Sequence, residues 1–135
     1  MLSLSEVEGK KDTYNIGCSE EEQLTSTALN KAIIFRSEYP FFLLVMKESF
    51  INGYYLKIPT YFVEKYLRNA RAAISLELLD GRTWPVIYCG QRINGGWHKF
   101  ASENNLNVGD VCVFEMIKKI RGFAFKVSIF RGAEE

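Results

Sequence analysis

The stretch GWHKFASENNLNVGD (residues 96–110) gathers the residues that most invite a catalytic reading: the only histidine, His98, beside Trp97, with Gly95-Gly96 before it and Gly109-Asp110 after it. An imidazole catalyses only with a nucleophile or an acid held close. The chain shows no Gly-x-Ser-x-Gly elbow, no Cys/His pairing, no metal-binding His pair, and no Gly-Lys-Ser/Thr in its Gly-rich GQRINGG stretch. We therefore assign no catalytic residue, metal or cofactor. His98 reads as a surface residue on the first turn of a helix, and Asp110 as a carboxylate that bridges a turn.

A different chemistry lies in two loops, KESFINGYY (Lys47 to Tyr55) and CGQRINGGWHK (Cys89 to Lys99). Each mixes cations, amides, glycine and aromatic rings. Lys47, Lys57, Arg92 and Lys99 can neutralise phosphates; Ser49, Asn52, Gln91 and Asn94 can donate to phosphate oxygens or pair with base edges. Solvated β-turns are the plainer reading of either loop alone. Arg82, with Arg68 and Arg71, is a secondary candidate.

Charge is unevenly spread. Residues 1–39 hold four Lys/Arg and seven Asp/Glu, net −3, and residues 40–135 are net +4. An acidic lead before a basic domain points to a polyanion partner. Cys18, Cys89 and Cys112 are odd in number and far apart, which suits free thiols in a reducing compartment. With no signal-like or membrane-spanning apolar run, the chain reads as intracellular.

The elements that must hold the loops follow from periodicity. Residues 1–21 read as a flexible acidic linker and 22–39 as a helical extension, its stripe running from Leu24 through Ala28 and Leu29 to Ala32, Ile33 and Ile34. That helix, residues 22–36, packs on the following domain or recruits a protein partner. From Pro40 the pattern turns β. FFLLVM reads as a buried strand, Asn52-Gly53 as a hairpin turn, YYLKIP as the second strand, and the helix after Pro59 as capped by Thr60. Ile74, Leu76 and Leu78, then Asp80-Gly81, then Trp84, Val86 and Tyr88 read as a hairpin. A second Gly-rich reversal is expected over GQRINGG, with Asn94-Gly95 inside it, then a short helix, then a closing hairpin across Ile120-Arg121-Gly122 with Phe123, Phe125, Val127 and Ile129 on one face. The class is α+β, mainly β.

Residues 40–132 resemble the plant-specific B3 DNA-binding domain. The motifs are PFFLLVMKES, YYLKIPTYFVEKYL, SLELLDGRTWPVIY, GGWHKFASENNLNVGDVCVFEM and FKVSIFR, in that order. The flavour is that of the reproductive-meristem group, which includes vernalization-response proteins. The resemblance implies a seven-stranded open β pseudobarrel with two short helices, and a nuclear location. It makes Lys47–Tyr55 and Gly90–Gly95 arms that enter the major groove of double-stranded DNA. Family members that read a defined element tend to carry a Lys and an Asn-Arg pair where this chain has Asn52 and Tyr54-Tyr55. A tyrosine cannot grip guanine as arginine does, so the resemblance implies mainly phosphate-directed binding with weak sequence preference. The alternative is a protein-interaction module of a chromatin regulator with little DNA affinity.

Overall fold

The computed structural model describes residues 27–67 and 71–132. The expected linker, the start of the helical extension, Cys18 and Arg68 lie outside the described residues.

Phe41–Val45 forms strand β1, and its unbroken apolar run has a structural cause: both faces are covered. One face sends Phe42 and Leu44, followed by Met46, into the main core. The other sends Phe41 and Leu43 into a second cluster with Val111 and Val113, roofed by Ala28, Leu29 and Ala32 of helix α1 (Thr27–Ile33). The alanines let α1 approach the sheet closely, and burying Leu29 contributes about 1.5–3 kcal/mol. Ser37, just beyond α1, donates a 2.6 Å hydrogen bond to Glu115 Oε2 and so satisfies a carboxylate on a residue only 9% exposed.

Seven strands form one sheet. The other six are β2 (Leu56–Lys57), β3 (Ala72–Glu77), β4 (Thr83–Cys89), β5 (Arg92–Ile93), β6 (Val111–Lys119) and β7 (Gly122–Phe130). Their order is β1-β6-β7-β3-β4-β5-β2, antiparallel except for the β3–β7 pair. The sheet curls into an open half-barrel around Phe42, Phe62, Phe114 and Phe125. The Phe42 ring lies 4.8 Å from those of both Phe62 and Phe114, and 5.6 Å from that of Phe125.

Alternation predicts the β3–β4 hairpin correctly. Ile74, Leu76, Trp84, Val86 and Tyr88 are buried, and Asp80 Oδ1 accepts from the Arg82 backbone N–H at 3.0 Å to fix the turn. In the last hairpin Phe125 and Val127 are buried, and Phe123 and Ile129 pack against the same core.

Three local expectations need correction. Asn52-Gly53 makes no hairpin turn, because β1 and β2 are not partners: they stand at opposite edges of the sheet. The connection crosses the mouth of the half-barrel as a short helix, α2 (Glu48–Asn52), which turns Phe50 and Ile51 toward the core and leaves Ser49 and Asn52 exposed. Gly53 serves close approach, since a Cβ there would lie 2.5 Å from the Ser49 carbonyl oxygen. The reversal after β4 lies at Gly90-Gln91, both with positive φ (63° and 67°), between the paired Cys89 and Arg92. The reversal expected in GQRINGG is thus present at its first two residues, and Asn94-Gly95 leads the chain on into a helix. Pro59, not Thr60, occupies the N-cap of α3 (Thr60–Phe62), which continues as a π-helical turn, Val63–Leu67. With α4 (Trp97–Glu103), the domain holds three short helical segments among the described residues, one more than expected.

Candidate nucleic-acid interface

The first arm, 47–55, is held from beneath. Trp97, fully buried on α4, donates its indole N–H to the Phe50 carbonyl at 2.9 Å, tying α2 to α4. α4 is itself placed by Gly96, whose φ of 101° suits glycine and where any Cβ would collide with the Pro85 carbonyl oxygen. Trp97 is therefore scaffold.

The second arm, Gly90–Gly95, reverses in two residues, Gly90-Gln91, and it touches the first. β5 pairs with β2 through Leu56↔Ile93 and Lys57↔Arg92, and the Ile58 N–H donates to the Gln91 carbonyl at 2.9 Å. Across this seam the Arg92 guanidinium lies over the Tyr55 ring, 4.2 Å from its centroid. Next to it the Tyr54 ring sits 5.8 Å from that of His98 on α4. The two arms and the first turn of α4 thus share one rim.

The expected site residues fall into three groups. Lys47, Lys57, Arg92 and Lys99 are exposed, and none has a carboxylate within ion-pairing distance among the described residues. The Lys47 ammonium rests over the Phe50 ring at 5.1 Å. Ser49 and Tyr54 are exposed on the first arm, Tyr54 at 79%. Asn52, Gln91 and Asn94 are engaged within the fold. Asn52 Nδ2 donates to Glu48 Oε2 at 3.3 Å; the Gln91 carbonyl accepts from Ile58; the Asn94 backbone bonds both Ile87 and Trp97.

Arg82 stands apart. It directly precedes the far end of β4, seven residue steps or about 23 Å from Cys89. Its Nε donates to Asp80 Oδ2 at 2.9 Å and its guanidinium lies 5.5 Å from the Trp84 centroid, so its charge is already answered. The Arg82 backbone N–H, helped by its guanidinium, lowers the Asp80 carboxyl from its ordinary value. His98 is the rim residue that the sequence reading set aside; its place beside Tyr54 rests on a contact 44 positions apart, which spacing does not announce.

Asp110 is a turn-bridging carboxylate. Only 1% exposed, it accepts through Oδ2 from the Asn107 N–H (2.9 Å) and Arg131 Nη1 (3.0 Å), and through Oδ1 from the Gly132 N–H (2.9 Å). Arg131 Nη2 also donates to the Asn104 carbonyl at 2.8 Å. This clasp joins the end of α4, the start of β6 and the end of β7.

A curled seven-stranded half-barrel with two arms on one rim defines a class, and comparison with known proteins identifies it. Residues 41–133 match the B3 DNA binding domain. The chain is 39% identical over 109 residues to the B3 domain-containing transcription factor VRN1 of Arabidopsis thaliana, covering 77% of this chain and 31% of that protein. It is 38% identical over 115 residues to a B3 domain-containing protein of Oryza sativa subsp. japonica, covering 80% and 28%. It thus spans under a third of either relative. Among solved structures, a hypothetical Arabidopsis thaliana protein superposes with a TM-score of 0.58 at 24% identity, over 76% of this chain and all of that one. The Arabidopsis FUS3–DNA complex gives 0.53 at 18%, over 70% and 100%. The chain belongs to the B3 DNA binding domain family.

Proposed function

We propose that the two arms bind double-stranded DNA in the major groove, mainly through phosphates and with weak sequence preference. The chain would act as the DNA-binding part of a nuclear plant transcription regulator of the vernalization and flowering type. The observation that supports this reading is the set of four exposed cations, Lys47, Lys57, Arg92 and Lys99, none paired with a carboxylate among the described residues, on segments that contact one another. Unanswered cations release counterions from the duplex on binding, a sequence-independent source of affinity. Of the side-chain amides that would read base edges, Asn52 is bonded to Glu48. VRN1, at 39% identity, lends the regulator type.

The partner-binding alternative through helix 22–36 is weakened by the packing of α1. Ala28, Leu29 and Ala32 are buried in the protein's own second core, so a partner using that stripe would first have to strip α1 from β1. A competition assay at fixed salt tests the proposal. A duplex selected from a random pool and a scrambled duplex of equal length should bind within about tenfold of each other. A larger gap contradicts weak preference, and no binding to either contradicts the arms' role.

A further inference from the structure

Tyr55 occupies the position that, by the sequence argument, deprives the first arm of a guanine-gripping arginine. The structure shows what its ring does instead: it lies under the arginine of the other arm. At 4.2 Å from the ring centroid, Arg92 makes a closer contact than Lys47 over Phe50 (5.1 Å), Lys65 over Tyr66 (5.5 Å) or Arg82 over Trp84 (5.5 Å). The base of Arg92 is also fixed. Gly90 and Gln91 form the tight positive-φ turn before it, and its backbone sits opposite Lys57 in the β2–β5 pairing. A guanidinium held over a ring keeps N–H donors free for an oxyanion, and loses less rotamer freedom on binding than a free arginine does.

We propose that Tyr55 is a positioning residue: its ring seats the Arg92 guanidinium on the rim, so that the two arms engage the DNA backbone as one unit. This rests on the reading of the arms as DNA-binding. Tyr55 acts through Arg92 and not by its own contact with DNA, so its hydroxyl is dispensable and its ring is not.

The test is a mutant cycle on a random-sequence duplex at fixed salt, with thermal unfolding run alongside to establish that each variant is folded. Tyr55→Phe should bind within twofold of the parent. Tyr55→Leu should lose about fivefold, and should lose nothing further in an Arg92→Ala background. Additive losses, or full affinity in Tyr55→Leu while Arg92→Ala is impaired, would overturn the proposal. An NMR readout without DNA separates it from the reading beneath. The Arg92 Nε–H resonance should be shifted by the ring current in the parent and in Tyr55→Phe, and should return toward the free-arginine position in Tyr55→Leu. An unchanged resonance in Tyr55→Leu overturns the stack itself. If Arg92→Ala binds like the parent while the resonance behaves as expected, the stack stands but its role at DNA is overturned along with the arm reading.

Discussion

The clasp around Asp110 and the rim formed by the two arms use the same kinds of residue to opposite ends. In the clasp a buried carboxylate meets three donors, and the arginine that answers it also satisfies the Asn104 and Asn105 carbonyls. At the rim, Arg92 has a ring beneath it and no acid beside it among the described residues. Removing one partner of a satisfied buried network leaves the others stranded, which costs stability. Removing an unpaired surface cation costs the fold almost nothing. The difference between the regions is therefore one between charge committed to the fold and charge left available to a partner.

The largest expected effect comes from the clasp. Asp110→Ala should destabilise the protein by about 2–3 kcal/mol, since Arg131 is part-exposed and water can replace some of what is lost. DNA affinity measured well below the unfolding transition should stay within about twofold. Arg92→Ala should do the reverse, changing stability by under about 0.5 kcal/mol and lowering affinity about fivefold on all sequences alike. If Asp110→Ala weakened binding of the folded protein as much as Arg92→Ala, the division between the regions would be lost.

A second experiment sharpens the interior side. Cys112 is fully buried, and burial pushes its thiol well above the ordinary value. A raised folded value means that stability is intact below the unfolded value, near pH 8.5, and is lost as pH climbs above it, because only the unfolded chain can ionise. The stability of the parent minus that of Cys112→Val should therefore fall by about 1.4 kcal/mol per pH unit above about pH 9. A flat difference in urea unfolding between pH 8 and 10.5 would show that Cys112 is not sealed in the core. The smallest effect belongs to Arg82: paired with Asp80 and at the far end of β4, its replacement by Ala should change DNA affinity by less than about twofold. A fivefold loss would extend the interface to that turn.

The same contrast explains what could be read from the sequence. The β3–β4 hairpin was legible because alternation and Asp80-Gly81 are local signals, and the buried face follows from period two alone. The role of Asp110 was legible because Gly109-Asp110 stands directly before the apolar run of β6. The path of the first arm was not. Asn52-Gly53 resembles a hairpin turn, yet strand partnership is set across the whole sheet, and β1 and β2 stand at its two edges. Lys47, Arg92, Lys57 and Lys99 could be picked out by type, but the capture of Asn52 by Glu48, and of Arg82 by Asp80, decides which side chains remain free. The Tyr55–Arg92 contact joins positions 37 apart through a pairing of two-residue strands, too short to carry a periodic signal.

The most direct test is the salt dependence of binding to a random-sequence duplex, for the parent and for Arg92→Ala. Four available cations predict a slope of log K against log salt near −3.6, becoming shallower by about 0.9 when Arg92 is removed. A parent slope shallower than about −1, or one that Arg92→Ala leaves unchanged, would contradict the claim that the unpaired charge on this rim is what holds DNA.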